Sequence, residues 1–297
     1  MRHAILGAGG VGGLIGAALA KSGDAVTVVL RPEALKNYPS ELSLESPLGS
    51  FSVPVERAAE VTQPFDVLWI AVKATHLDAA LRNVANAEQL GAIVPLLNGI
   101  DHVALLRSRF GHDRVVPGTI GVESERAAPG KIIHRSPSAR LTVSSIGETR
   151  LASTIEKLRQ FGFNCQFSTD ELKMLWNKLA ILAPCALTTT ASGMTMGEVF
   201  SDTVWRKRIV AAMYEACAAA TASGTPLDPA SFIRFFDSVP PVSRSSMQKD
   251  VAAGNPPELD GIAGPILRIA QEHGLDVPVT RELVDMIRGK STVATGS

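Results

Sequence analysis

Glycine spacing carries the first chemical signal in this 297-residue chain. Between Ala4 and Ala20 there is no charged residue but there are six glycines, four of them in Gly7-Ala8-Gly9-Gly10-Val11-Gly12, a G-x-G-x-x-G pattern. Glycine at Gly7 permits a tight turn, at Gly9 lets backbone approach a pyrophosphate, and at Gly12 lets a helix pack closely on a strand. Gly10 then starts a helix whose first amides face the anion. The pattern follows the apolar run Ala4–Leu6 and opens the helical stretch Gly10–Ser22, the context a dinucleotide-binding turn requires. A purely structural glycine turn is the competing reading.

Three more residues fall at the carboxyl ends of expected strands, where ligands bind in open α/β sheets. Arg31 follows Ala25–Leu30, where an NAD site holds an acid for the ribose 2′-hydroxyl. An arginine there suits a 2′-phosphate, which points to NADPH/NADP, against the alternative of a solvated loop arginine. Lys73 follows Val67–Val72 and serves either the phosphates or merely the surface. Asn98-Gly99 follows Ala92–Leu97; such a pair is often only a turn, but Asn98 is also suited to binding ribose or substrate. Further on, Lys178 is one polar position in an amphipathic helix and Glu258 one acid at a helix start.

The elements that must position these residues change character near Ser168. Before it, short apolar runs alternate with helical patterns at Gly10–Ser22, Arg57–Val61, His76–Ala85 and Val103–Phe110. That alternation predicts an α/β domain of Rossmann type with a mostly parallel sheet. Lys131–His134 and Leu141–Ile146 read as a strand pair added at one edge, followed by a helix Glu148–Phe161 and a strand Asn164–Phe167. Beyond Ser168 the period is helical. A helix capped by Ser168 or Thr169 runs Glu171–Ala183 and bends at Pro184. Val204–Ser223, a helix from Asp228, Glu258–His273 and Thr280–Arg288 follow, with a frayed tail from Gly289. The expected organisation is a Rossmann NADP-binding domain at 1–167 and an all-α substrate and catalytic domain at 168–297.

Composition narrows the function classes. A net charge of zero lacks the diffuse basic footprint of a nucleic-acid binder. Cys165, Cys185 and Cys217 are odd in number and set among apolar neighbours, which suits a reduced, cytoplasmic protein. The uncharged N-terminal stretch is too short and too glycine-rich for a membrane span. The six histidines show no paired ligand spacing, so no metal is expected, and no G-x-S-x-G elbow marks a serine hydrolase.

Together these pieces resemble the ketopantoate reductase (2-dehydropantoate 2-reductase) family, which makes pantoate on the route to coenzyme A. The resemblance rests on Gly7–Gly12, Leu30-Arg31, Val72-Lys73-Ala74, Asn98-Gly99, Leu175-Trp176-Asn177-Lys178-Leu179, Ser245-Ser246-Met247 with Gln248 and Asp250, Glu258-Leu259-Asp260-Gly261, and Ala270–Pro278. It implies that Lys178 is the general acid that protonates the ketone oxygen as hydride arrives. It implies further that Glu258 binds the substrate hydroxyl, Ser246 the carboxylate, Asn98 substrate and nicotinamide ribose, and Arg31 and Lys73 the cofactor phosphates. Two departures bear on the substrate. The family commonly carries asparagines one and two turns after its lysine, where this chain has Leu182 and Ala186, and another three residues before the serine, where Ser243 stands. The resemblance thus implies NADPH-dependent reduction of ketopantoate, acting as monomer or homodimer without nucleic-acid or membrane partners. A related 2-oxo or hydroxy acid as substrate, or a non-catalytic NADP-binding sensor, are the alternatives.

Overall fold

Runs of apolar residues four to six long, buried on both faces, form parallel strands in the first part of the chain. The computed structural model describes residues 1–85, 87–236 and 239–294. The chain opens with β1 (Arg2–Leu6), α1 (Gly10–Lys21), β2 (Ala25–Val29) and α2 (Pro32–Leu35), then β3 (Glu41–Glu45), β4 (Phe51–Pro54) and β5 (Glu56–Ala58). β6 (Phe65–Ile70), α3 (Leu77–Leu81), β7 (Leu90–Pro95) and α4 (His102–Phe110) follow. Five of these strands make a wholly parallel sheet in the order β5-β2-β1-β6-β7. The expected helix at Arg57–Val61 is instead the edge strand β5, whose three residues pair with Thr27–Val29 of β2. Its helical pattern was too short to hold against a ladder of backbone hydrogen bonds.

The next strands are β8 (Gly118–Gly121), β9 (Ser124–Ala128), β10 (Lys131–His134) and β11 (Arg140–Ser144), then α5 (Glu148–Phe161) and β12 (Asn164–Ser168). β10 and β11, expected as a pair, lie in different sheets. β10 joins β9 and β3 in a four-stranded sheet ordered β4-β3-β10-β9, and β11 stands between β12 and β8. Helix α1 is therefore covered twice. Leu14, Ile15 and Leu19 share one core with Ile5 and Val28 of the parallel sheet and with Leu42, Leu44 and Ile132 of the four-stranded one.

The chain divides into two compact units, Met1–Leu97 with His102–Met174, and Asn98–Asp101 with the chain from Leu175 onward. The division falls inside a helix, seven residues beyond the expected boundary at 167, and it assigns the short segment after β7 to the second unit. That unit is helical: α6 (Glu171–Ser192), α7 (Met196–Ser201), α8 (Thr203–Ala222), α9 (Pro229–Phe236), α10 (Ser246–Ala252), α11 (Leu259–Ile262), α12 (Gly264–His273) and α13 (Pro278–Ala294). Helix α6 is capped by Asp170, not Ser168 or Thr169, its Oδ1 accepting the Lys173 amide at 2.9 Å. It also runs on through Pro184. Trp176, Leu179, Ala183 and Leu187 are buried in one apolar cluster and Ala180 in a second, and this burial outweighs the roughly 3 kcal/mol an internal proline costs. Helix α13 continues past the expected frayed point to Ala294, its first amides held by Glu215 of α8 at 2.9 and 2.7 Å.

Candidate active site

In the first unit the glycine turn links β1 to α1. Gly7 has φ +100°, and a Cβ there would lie 2.8 Å from the Ala71 carbonyl carbon and the Val72 nitrogen. Only glycine fits on both counts. A Cβ on Gly12 would collide with the Gly7 carbonyl oxygen and lie 2.9 Å from the Ile5 side chain, so its bare backbone is what seats the helix on β1. Gly10 is pressed against β9, where the Ser124 hydroxyl donates to its carbonyl at 2.9 Å. Gly9 differs: a Cβ there would meet nothing within 4 Å. Gly9 is also the N-cap of α1 without a side-chain cap, and no acid stands in the first turn. Helices α6, α8 and α10, by contrast, have their first amides taken by Asp170, Asp202 and Ser245. The uncapped, open start of α1 has the chemistry of an anion site, and a dinucleotide pyrophosphate fits it.

Arg31 stands two residues beyond the end of β2, in extended conformation at the start of α2, with its side chain exposed. Lys73 is half-buried beyond β6, heading a 3₁₀ turn, Ala74–His76.

The second unit brings three of the expected site residues together. The Asn98 amide donates to Glu258 Oε2 at 3.5 Å, the long limit of a hydrogen bond. Glu258, 5% exposed, is the residue at which α11 begins. Burial pushes the Lys178 ammonium down from 10.5 to about 8, and the negative charge of Glu258 opposes that shift. Each polar group has a partly buried apolar neighbour packed on the same core: Ile100, Leu182 and Leu259. Leu182 lies one turn from Lys178 on the same face of α6, and Ala186 is 1% exposed.

Ser246 is exposed in the first turn of α10. Its neighbour Ser245 makes the contacts, accepting the Gln248 amide at 3.1 Å and lying 2.8 Å from the Thr189 hydroxyl of α6. Sequence reasoning also passed over Arg268, whose guanidinium joins Asp260 and Asp101. Those three residues are scattered along the chain, and no local pattern marks them.

A parallel dinucleotide-binding sheet with an open glycine turn, and a helical unit carrying a desolvated amine beside a carboxylate, define an oxidoreductase. Residues 3–148 match the family described as Ketopantoate reductase PanE/ApbA, and residues 170–291 match its C-terminal counterpart. The chain belongs to the ketopantoate reductase family. It is 30% identical over 289 residues to the uncharacterized oxidoreductase YkpB of Bacillus subtilis, covering 94% of this chain and 95% of that protein. It is 28% identical to the 2-dehydropantoate 2-reductase of Caulobacter vibrioides, covering 96% and 97%. In fold it is similar to D-mandelate dehydrogenase, whose ternary structure with NADH and anilino(oxo)acetate superposes with a TM-score of 0.89 at 20% identity, covering 99% and 100%.

Proposed function

We propose that this oxidoreductase reduces ketopantoate to pantoate with NADPH, serving pantothenate and coenzyme A synthesis, and that Lys178 is the proton donor. The observation that carries this reading is the Lys178 ammonium, brought to about 8 by burial with Glu258 as its countercharge. A carbonyl that gains hydride develops alkoxide charge, and an ammonium with a pKa near working pH both stabilises that oxygen and releases a proton to it. NADPH would supply the hydride when bound. Gly7, Gly9, Gly10 and Gly12 would hold its pyrophosphate, Arg31 and Lys73 its other phosphate, and Asn98 its ribose. Glu258 accepts a hydrogen bond from a substrate hydroxyl, Asn98 helps orient the substrate, and Ser246 binds the carboxylate. The family membership and the 28% identical 2-dehydropantoate 2-reductase support the reaction class. The exposed Arg31 after β2 supports NADPH over NADH.

A second reading keeps the chemistry and changes the substrate. Leu182 and Ala186 offer no side-chain hydrogen bond along α6, and a D-mandelate dehydrogenase shares this fold. An apolar or aryl 2-oxo acid is the substrate class that favours such a wall. The test is steady-state consumption of NADPH and of NADH with ketopantoate, a branched 2-oxo acid lacking the hydroxyl, and an aryl 2-oxo acid. A kcat/KM highest for NADPH with ketopantoate supports the first reading, and preference for either of the other acids supports the second. Binding of NADPH without consumption on any of the three sinks both and leaves a sensor.

A further inference from the structure

In the second unit, Asn98 and Glu258 meet because two backbone segments are pressed together. Gly99 has φ +88°, and a Cβ on it would run into the Gly261 carbonyl oxygen, so the turn after Asn98 lies directly on the backbone of α11. Ile100 anchors the same turn in the apolar core. One side chain then ties the two segments from outside. Arg268 of α12 donates through one terminal nitrogen to Asp260 Oδ1 at 2.7 Å and through the other to Asp101. The second nitrogen also lies 3.4 Å from the Asp260 carbonyl oxygen. Asp101 stands three residues after Asn98, and Asp260 two residues after Glu258. Gly264, where a Cβ would lie 2.8 Å from Asp260 Oδ1, leaves room for the guanidinium.

We propose that Arg268 is a positioning residue for the reducing site, bridging Asp101 and Asp260 so that the Asn98 amide is held against the Glu258 carboxylate. The role rests on the reading of Asn98 and Glu258 as site residues. The fork is half-exposed, the two aspartates being 52% and 86% exposed, and ion pairs of that kind add little to global stability. Its value lies in geometry. Asn98 and Glu258 already sit at 3.5 Å, so a small drift separates them, and a misplacement of about 1 Å can cost up to about a hundredfold in rate. Lysine cannot replace the fork, since one ammonium does not reach both carboxylates with fixed geometry.

The experiment compares Arg268→Met and Arg268→Lys with the parent enzyme by kinetics and by amide hydrogen exchange. Arg208→Met, which breaks a remote pair with Glu282, is the control. Arg268→Met is expected to lower kcat/KM for the oxo acid about tenfold, to move Tm by no more than a few degrees, and to speed exchange at 98–101 and 258–262. Arg268→Lys recovers only part of the loss. In an Asn98→Ala background the Arg268→Met penalty should shrink to about twofold or less, because the two act through one contact. Unchanged exchange overturns the bridge, and that measurement needs no substrate. Faster exchange with unaltered kcat/KM, or a full penalty in the Asn98→Ala background, overturns the positioning role. Faster exchange in an enzyme that reduces no oxo acid supports the bridge and sinks the functional reading instead.

Discussion

The two units each bury a carboxylate beside a positive charge, and they use it in opposite ways. In the first, Asp24 has a side chain 1% exposed and receives Lys157 at 2.5 Å, the Met1 amino group at 2.6 Å and the His3 ring at 3.2 Å. Burial alone would raise its carboxyl, but the hydrogen bonds from Lys157 and the Met1 amine outweigh that and hold it below the ordinary 3.8. In the second, Lys178 has Glu258 as its countercharge and is still driven down to about 8. Asn98 reaches Glu258 only at 3.5 Å. A saturated carboxylate holds a fold together. A desolvated amine beside a buried carboxylate gives up its proton easily and costs stability to keep.

The sharpest way to break this comparison is to remove the charge from each cluster in turn. Lys178→Met should lower kcat about a thousandfold, within the range proton donors contribute, while raising stability. Its ammonium ionises at about 8 in the fold against 10.5 outside it, which at neutral pH corresponds to a penalty of about 3 kcal/mol relieved in the variant. Stopped-flow or steady-state NADPH consumption reads the first effect and chemical denaturation the second. An inactive variant that is also destabilised would sink the contrast. Asp24→Asn should do the reverse, costing about 3 kcal/mol by leaving cations around a neutral amide, with kcat per folded molecule unchanged.

The pH dependence of stability separates the clusters further, because their slopes lie in different windows. Lys178 has a lowered pKa in the fold, so its penalty is full below about 8 and is relieved as pH rises toward 10.5. His3 and His134, both lowered by burial from 6.5, take up protons less readily in the fold than in the unfolded chain. Stability therefore falls as pH drops below about 6.5, and again as the depressed Asp24 carboxyl titrates below 3.8. Denaturation midpoints across pH should show Lys178→Met losing the rise above 8, and Asp24→Asn losing the acid fall below 3.8. The rate of reduction should decline above about pH 8 as the donor deprotonates.

Much of the first unit was legible because its constraints are local. The strand, glycine turn and helix over Arg2–Lys21 follow from residues that only one backbone accepts, as the positive φ at Gly7 shows. Helix α5 matched its expected bounds because Leu151, Ile155 and Leu158 keep a clean buried stripe. β3, β4 and β9 were missed, being short and half-exposed; β4 and β9 each pair with a neighbour in a local hairpin, and only the β3–β10 pairing, across nearly ninety residues, joins the two hairpins into one sheet. Pro184 misled for a related reason, since the packing that carries α6 through it comes from other helices. At the site, Lys178 and Glu258 looked ordinary as single residues and gained meaning only from a family resemblance. Why Ser245 rather than Ser246 bonds to Thr189 could not be read from a serine pair, because register at a helix start decides which hydroxyl becomes the cap.

The smallest expected effect tests whether the Lys178–Glu258 cluster has been retuned toward apolar substrates. Leu182 and Ala186 follow Lys178 by one and two turns, but they are not equivalent targets. Ala186 is sealed in the core, where a larger side chain overpacks, whereas Leu182 is only partly buried beside it. Leu182→Asn would place an amide one turn from Lys178 on the same helix face. If the wall selects by hydrogen bonding, the variant should shift the kcat/KM ratio of ketopantoate to its hydroxyl-free analogue about tenfold toward ketopantoate, since such a contact is worth roughly 1–2 kcal/mol. The comparison of the two acids in one variant cancels any general loss from disturbing Leu182. An equal fall for both acids would place Leu182 in the packing alone, and the contrast between the clusters would then rest on Lys178 and Glu258 without help from the wall beside them.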